Sequence, residues 1–228
     1  MDSHWVTTSL IERSEDLCAS GLLARRNQAL KRFFEVPVAA LLLVLALPAA
    51  VLIAIAIALE TRGPVFFGHT RIGKGQRRFR VWKFRSMVTD ADGALEDYLR
   101  KHPELRAEWR YSHKLKQDPR VTRVGRLLRR SSLDELPQLW NVLRGEMSLI
   151  GPRPIVAAEI SKYGPAIALY QQVRPGLTGL WQVSGRADTG YLRRVDLDCE
   201  YIRTWGFLAD VKILVKTVRV VLCGHGAY

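Results

Sequence analysis

The sequence has few cysteines, scattered histidines and no glycine motif for binding nucleotides. Its three cysteines, Cys18, Cys199 and Cys223, are far apart and lack a C-x-x-C spacing, so neither a disulfide framework nor a zinc site is indicated. Gly73-Lys74-Gly75 lacks the rest of a P-loop, and no G-x-G-x-x-G occurs. The distribution of thiols is typical of a protein in a reducing, cytosolic environment.

Acidic residues are scarce relative to basic ones. The chain of 228 residues has 22 Asp and Glu against 35 Lys and Arg, a formal net charge of +13. Residues 62–130 hold 19 of the basic residues and only 7 of the acidic ones. Such a surface favours nucleic acid, anionic lipid or a phosphorylated substrate as partner, and charge alone does not distinguish them.

One long stretch contains no charge at all. Val36 to Leu59, as a straight helix at about 1.5 Å per residue, would reach about 36 Å, enough for a bilayer core of about 30 Å. Pro48 divides it, and a proline in mid-helix removes a hydrogen bond and kinks the axis. Basic residues flank the stretch on both sides: Arg25, Arg26, Lys31 and Arg32 before it, and Arg62, Arg71 and Lys74 after it. The positive-inside rule therefore places both ends in the cytoplasm and predicts a re-entrant helix bent at Pro48. A bent but spanning helix and a signal sequence are the alternatives.

Two adjacent carboxylates, Asp134 and Glu135, lie in a segment rich in arginine. Ser132-Leu133-Asp134-Glu135 fits the S-x-x-E capping box, which predicts a helix from Ser132 through Val142 with both acids in its first turn. The ordinary interpretation is that these acids complement the helix dipole. Two neighbouring features also suggest a phosphate site. Upstream, an apolar helical face (Val121, Val124, Leu127, Leu128) leaves four arginines on the other side (Arg123, Arg126, Arg129, Arg130). Downstream, Gly151-Pro152-Arg153-Pro154 is a rigid turn presenting one guanidinium.

Three long motifs closely resemble the bacterial sugar transferase family, the monotopic phosphoglycosyl transferases. They are RVTRVGRLLRRSSLDELPQLWNVLRGEMSLIGPRP, KFRSM at 83–87 and RPGLTGLWQVSGR at 174–186, and the resemblance runs from about Lys31 onward. It implies that Asp134 is the nucleophile of an Asp-Glu dyad with Glu135, and that Arg129 and Arg153 bind phosphate. Lys83 and Arg85, in KFRSM, are expected to contact substrate phosphates or the lipid surface. A carboxylate that approaches a diphosphate meets charge repulsion, so Mg2+ with Asp134 as protein ligand is also expected.

The activity that the resemblance implies is transfer of a hexose-1-phosphate from a UDP-hexose to polyprenyl (undecaprenyl) phosphate. The sugar would be galactose or glucose, the intermediate a covalent aspartyl-phosphosugar, and the released product UMP. This reaction starts the assembly of an exopolysaccharide repeat unit. It would take place at the cytoplasmic face of the inner membrane, in contact with membrane lipid, and a homodimer is compatible with it.

Two other classes of function are considered from the residues. A membrane-anchored basic binding protein without catalysis would use its arginines for nucleic acid or anionic lipid. The absence of aromatic residues interleaved with the basic ones and of any nucleic-acid motif argues against a nucleic-acid partner. A conventional metal-dependent glycosyltransferase would use Asp196 and Asp198 as a D-x-D pair. Helical spacing of the apolar residues around that pair predicts that both acids line a solvated helix face.

The predicted fold is α+β and mostly helical. Residues 1–30 form a polar N-terminal tail, 31–60 a membrane hairpin, and 61–228 a small cytosolic catalytic domain with membrane-associated helices. A β-hairpin is predicted from Val65–Phe67 and Phe79–Trp82, and short helices at Ala94–Lys101, Glu104–Arg110 and Ile155–Tyr163. A glycine-rich loop at Arg174–Trp181 is predicted to run into a short strand. The amphipathic segment Phe207–Leu222 is either a core helix or one lying in the membrane interface.

Overall fold

The computed structural model describes residues 21–112, 115, 118–185 and 190–223. Most of the predicted N-terminal tail, with Cys18, and Arg186 of the third motif lie outside the described residues. The chain divides into two compact units. Within the described residues, the first unit comprises residues 21–44, 69–81 and 138–223, and the second unit comprises 45–68 and 82–137.

The longest element is helix α1, Arg25–Glu60, which follows a short 3-10 turn at Gly21–Leu23. Its 36 residues continue through Pro48, so that proline does not interrupt the helix, and the helix begins earlier than the predicted Lys31. Among the described residues it is the one helix long and apolar enough to cross a membrane, with a mean hydropathy of 3.0 over its most apolar window and 11% of that window buried. A helix so exposed is not a core helix of a soluble fold. The re-entrant topology and the domain boundaries at residues 31 and 61 stay predictions.

Four short strands form two small sheets. Strands β1 (Phe66–Ile72) and β2 (Arg78–Phe84) pair with each other, which confirms the predicted hairpin. They are joined through Lys74–Gln76, where Gly75 has a φ of +64°. Strands β3 (Ser148–Ile150) and β4 (Gly176–Thr178) pair in parallel, with Ser148 opposite Gly176 and Ile150 opposite Thr178. Strand β4 lies within the predicted glycine-rich loop, and the helix Leu180–Val183 follows it, so a short strand is present but earlier than expected. Strand β3 was not predicted.

Three helices belong to the second unit. They are α2 (Ala91–Lys101), α3 (Arg106–Ser112) and α4 (Arg123–Ser131), with a 3-10 turn at Pro103–Leu105 between the first two. The unit has a small apolar core in which Ile57 of α1, Phe84 of β2 and Leu128 of α4 are all buried. This core packs the end of the long helix against the hairpin and the arginine-rich helix.

The remaining helices belong to the first unit. They are α5 (Gln138–Leu143), α6 (Ile160–Tyr163), α7 (Ile167–Tyr170), α8 (Leu180–Val183), α9 (Tyr191–Thr204) and α10 (Phe207–Cys223). The predicted helix at Ile155–Tyr163 is shorter than expected, because a 3-10 turn at Ala157–Glu159 precedes α6. The unit's apolar core includes Ile72, Ile155, Tyr163, Tyr170 and Val195.

Helix α10 exposes most of its apolar face. Leu208 is 73% exposed, Val215 66% and Val218 59%, while Ile213 is buried. Exposed apolar residues on one face agree with the interfacial alternative rather than with a core helix. Asp210, although it is a charged residue of this amphipathic helix, does not face solvent, because it is buried among hydrogen-bonding partners from α1 and α9.

Candidate active site

Helix α4, which carries Arg129, is capped at its first turn by two side chains. Thr122 is its N-cap, and the Thr122 hydroxyl accepts the Gly125 N–H at 2.9 Å. The Glu60 carboxylate, at the end of α1, accepts the N–H groups of Arg123 and Val124 at 2.7 and 3.0 Å. A carboxylate at a helix N-terminus satisfies free N–H groups and is favoured by the helix dipole. The start of α4 is therefore fixed to the end of α1.

The predicted capping box at Ser132 was wrong. Ser132 ends α4 instead of starting a helix: its φ of 58° is left-handed, and its N–H donates to the carbonyls of Leu128 and Arg129. A 3-10 turn at Leu133–Glu135 follows, and α5 begins only at Gln138. The local pattern suggested an N-cap, but Ser132 adopts the left-handed conformation that commonly ends a helix.

Asp134 and Glu135 share one ammonium group. Lys83 Nζ lies 2.6 Å from Glu135 Oε1 and 3.6 Å from Asp134 Oδ2. The Asp134 side chain is 10% exposed, whereas those of Glu135 and Lys83 are each 30% exposed. Lys83 comes from β2 and the two acids from the 3-10 turn. The structure thus brings three of the predicted site residues together in the second unit.

The environment of Asp134 is unusual for a carboxylate. Burial raises the pKa of Asp134 most strongly, and the nearby Glu135 charge raises it further, while Lys83 and Arg129 lower it. The net result is a raised pKa of Asp134, which means that the surrounding groups stabilise the ionised carboxylate less well than water does. A carboxylate with few fixed hydrogen bonds and little solvent is more nucleophilic than one in water.

Arg129 lies close enough to Asp134 for the guanidinium charge to lower the pKa of that carboxyl. The Arg129 Nε donates to Ser86 Oγ at 2.9 Å. Burial lowers the pKa of Arg129, opposed mainly by the charges of Asp134 and Asp118. Helix α4 also exposes Leu127, which the sequence assigned to its apolar face. The site in the second unit is therefore a carboxylate pair with a lysine and a half-buried arginine around it.

Arg85, for which a contact with substrate phosphate or lipid was predicted, lies against the backbone at the end of α1. Its side chain is buried, with 6% exposed, and its guanidinium donates to the carbonyls of Thr61 and Arg62 at 2.8 and 3.0 Å. These carbonyls follow the last residue of α1. Arg85 therefore satisfies the C-terminal end of the long helix, and its described contacts give no support to the predicted substrate contact.

Arg153 belongs to the first unit, where it has other arginines as neighbours. Its guanidinium lies 5.7 Å from the centre of the Trp181 ring. The Arg194 guanidinium lies 5.0 Å from the same ring and pairs with Glu159 at 3.1 Å. Burial, and next the Arg153 charge, lower the pKa of Arg71. Arg71 and Arg194 were not among the predicted site residues, and Arg71 was noted only as a basic residue after the apolar stretch. The available signal was the i, i+4 spacing of Arg194 and Asp198 on α9.

The D-x-D pair is split between two environments. Asp196 is exposed, as predicted, whereas Asp198 is 1% exposed, so its assignment to a solvated face was wrong. The Tyr163 hydroxyl donates to Asp198 Oδ2 at 2.6 Å. Burial raises the pKa of Asp198 to about 7, while Tyr163 and Arg194 lower it. The two carboxylates do not face a common point, which argues against the metal-dependent glycosyltransferase alternative.

Comparison with known proteins agrees with the family resemblance of these motifs. The sequence model of one family, described as bacterial sugar transferase, matches residues 26–224. The chain belongs to the bacterial sugar transferase family.

One relative of this sugar transferase is a UDP-galactose-lipid carrier transferase of Erwinia amylovora, 46% identical over 210 residues, which are 92% of this chain and 44% of the relative. Exopolysaccharide production protein ExoY of Rhizobium meliloti is 46% identical over 198 residues, 87% of this chain and 88% of the relative. A UDP-glucose:undecaprenyl-phosphate glucose-1-phosphate transferase of Caulobacter vibrioides is 44% identical over 206 residues, 87% of this chain and 72% of the relative. The chain spans less than half the length of the Erwinia relative.

The sugar transferase has only a partial set of ligands for a metal ion. Among the described residues, no three His, Cys, Asp or Glu side chains converge. Asp134 and Glu135 nevertheless place carboxylate oxygens around a single cation, the Lys83 ammonium. Magnesium commonly binds through one or two carboxylates and completes its six ligands with water and substrate phosphate. The dyad fits this kind of site and does not fit a closed protein cage.

Proposed function

We propose that this sugar transferase moves a hexose-1-phosphate from a UDP-hexose, UDP-galactose or UDP-glucose, to polyprenyl phosphate such as undecaprenyl phosphate. The reaction would take place at the cytoplasmic face of the cell membrane and start an exopolysaccharide repeat unit. Relatives named for the transfer of galactose or glucose phosphate to a lipid carrier support this proposal. The observation that carries it is the buried Asp134 carboxylate beside Lys83 and Arg129.

The first step uses Asp134 as nucleophile. A carboxylate oxygen of Asp134 attacks the hexose-bearing phosphorus of the donor, forming an acyl phosphate bond. The bond from that phosphorus to the bridging oxygen breaks, and its electron pair leaves on UMP. Arg129 and Lys83 supply positive charge beside the reacting oxygens, which stabilises charge that develops on the phosphoryl group.

The second step restores the enzyme. A phosphate oxygen of the polyprenyl phosphate attacks the same phosphorus, and the bond to Asp134 breaks to give back the carboxylate. The product is a polyprenyl-diphosphate hexose. Dividing the transfer through a covalent intermediate allows two bulky anions to use one site in turn instead of together. The buried position of Asp134 limits the access of water, which would otherwise hydrolyse the intermediate.

Two further groups have roles in this proposal. Asp134 and Glu135 would hold Mg2+, which neutralises negative charge on the donor diphosphate. Glu135 also holds Lys83 through their 2.6 Å ion pair, which keeps the ammonium beside the nucleophile. Arg153, with Arg71 and Arg194 near it, concentrates positive charge in the first unit, where a phosphate group of a substrate would bind.

The test is the intact mass of the purified protein after incubation with Mg2+ and each UDP-hexose. We expect a mass gain of one phosphohexose with one donor, together with release of UMP. Asp134→Asn keeps the shape of the side chain and should show no gain, while Glu104→Gln, an exposed acid in the same unit, should behave like the wild type. Adduct on Asp134→Asn would exclude that residue as nucleophile. Absence of both adduct and UMP with every donor would favour a binding protein without catalysis.

A further inference from the structure

A buried charged network in the first unit surrounds the strand that leads into the Arg153 turn. Lys31 and Glu35 of α1 and Asp210 of α10 are all buried, with 5%, 7% and 6% of their surfaces exposed. Lys31 Nζ lies 2.8 Å from Glu35 and also forms an ion pair with Asp210. Burying three charges is costly, and apolar residues of similar volume often give equal or better stability. The network therefore calls for an explanation other than stability.

The Glu35 carboxylate is bonded directly to β3. The Ser148 hydroxyl lies 2.7 and 2.6 Å from the two oxygens of Glu35, and the Ile150 N–H donates to Glu35 Oε1 at 3.2 Å. At the carbonyl of the same residue, the Tyr201 hydroxyl lies 3.1 Å from the Ile150 oxygen and 2.7 Å from Asp210 Oδ1. Side chains of the network thus contact both backbone groups of Ile150, the last residue of β3.

The segment after Ile150 tolerates little displacement. Gly151 donates its N–H to the Thr178 carbonyl at 2.8 Å, and Gly176 donates to the Pro152 carbonyl at 2.8 Å. A Cβ on Gly151 would lie 2.8 Å from the Arg174 carbonyl oxygen, and one on Gly176 would lie 2.1 Å from the Gly151 nitrogen. Because the two backbones are in such close contact, the Gly151–Pro154 turn is held in a fixed position against β4. Any shift of β3 along β4 would move the Arg153 side chain with it.

We propose that Glu35 is a positioning residue for Arg153. Its carboxylate, held by Lys31, fixes the end of β3 and so fixes the turn that presents the guanidinium to substrate phosphate. A carboxylate suits this role because it accepts from a hydroxyl and a backbone N–H at once, whereas an apolar residue would leave both donors unpaired. The inference rests on the proposed function, since it assigns Arg153 a substrate.

A double-mutant cycle on the full chain in detergent or lipid nanodiscs tests whether Glu35 acts through Arg153. We expect Glu35→Gln to lower kcat/KM for hexose-phosphate transfer by about 10- to 100-fold, because displacements near 1 Å cost about that much. In an Arg153→Ala background the same substitution should change the rate by less than about twofold, because coupled residues are not additive. Equal losses in both backgrounds, or no loss in either, would overturn the positioning role. Glu35→Asp, which keeps the charge, should recover part of the rate.

Amide hydrogen exchange gives a second readout that needs no activity. Without substrate, the Ile150 N–H should exchange about tenfold faster or more in Glu35→Gln than in the wild type, because it loses its charged acceptor. Glu104→Gln, far along the chain and exposed, should leave that amide unchanged. Unchanged exchange in Glu35→Gln would refute the inference even if transfer is observed. If the wild type transfers nothing, the proposed function fails, and the exchange experiment still decides whether Glu35 fixes Ile150.

Discussion

Replacing Gly125 by alanine tests how closely the arginine helix packs in the second unit. A Cβ on Gly125 would lie 2.0 Å from the Ser86 carbonyl oxygen and 2.6 Å from the carbon bonded to it. Ordinary contact begins at 3.4 Å, so one of the two segments has to move by about 1.4 Å. Overpacking of this kind costs about 1–3 kcal/mol, which exceeds the gain of about 1 kcal/mol that alanine brings over glycine inside a helix.

The displacement should also reach Asp134, the proposed nucleophile. Arg129 is bonded through its Nε to the Ser86 hydroxyl at 2.9 Å, so a shift between α4 and Ser86 changes the position of the guanidinium beside Asp134. We expect Gly125→Ala to form the aspartyl adduct about 10- to 100-fold more slowly. Its apparent unfolding temperature should also be lower than that of the wild type.

The assay is the time course of adduct formation by intact mass, with thermal unfolding measured on the same preparation. Gly206→Ala is the matched control, because a Cβ there meets nothing within 4 Å. It should leave adduct formation unchanged. A Gly125→Ala protein that unfolds at a higher temperature and forms adduct within about twofold of the wild-type rate would refute the close contact and the reasoning built on it.

Three further predictions concern charge and exposure. Burial raises the pKa of Asp134 and Lys83 lowers it, so Lys83→Met should move the acidic limb of the pH–rate profile to higher pH, by an amount that the profile measures directly. Burial raises the pKa of Asp198 to about 7. Above about pH 4 the unfolded chain has lost this proton while the folded protein retains it. The free energy of unfolding should therefore fall as pH rises from about 4 to about 7. Asp198→Asn should flatten that dependence in denaturant titrations. On α10, a spin label at Val215 in a cysteine-free background should be more accessible to oxygen than to a water-soluble nickel chelate in bilayers. The reverse is expected at Lys216, an exposed residue about 100° around the helix from Val215.

Each of the three has an outcome that would contradict it. An unchanged acidic limb in Lys83→Met would mean that the limb reports a group other than Asp134. The same pH dependence of unfolding in Asp198→Asn and the wild type would assign it to other carboxylates. Equal accessibility of both α10 positions to nickel would place that helix in water, away from the lipid interface.

Patterns that depend on neighbouring residues were predictable from the sequence. The hairpin was found because β-type segments flank Gly73-Lys74-Gly75, and Gly75 does adopt a left-handed conformation. The arginine helix was found because its apolar residues recur at helical spacing. The Asp134–Glu135 pair and Lys83 were found through long motifs, and the structure places them in mutual contact. Each of these signals lies within a short stretch of chain.

Burial of charge was not predictable in the same way. Asp210 is bonded to Lys31, which is 179 residues away along the chain, and Asp198 to Tyr163, which is 35 residues away. A charged residue on an amphipathic helix is solvated unless distant partners satisfy it, and spacing within the helix contains no information on those partners. Ser132 shows the corresponding limit for local signals: S-x-x-E was present, but the end of the preceding helix determined its conformation.

The bond between Glu60 and the first turn of α4 has a geometric consequence. Glu60 is the last residue of the helix proposed to enter the membrane, and its carboxylate accepts two N–H groups of α4, which ends directly before the turn that carries Asp134. Nine residues of α4 span about 14 Å at about 1.5 Å each. Under the proposed function, α4 is therefore a rigid spacer of set length between Asp134 and the end of the helix proposed to enter the membrane. A polyprenyl phosphate, whose head group stays at the bilayer surface, would then meet Asp134 at one fixed height.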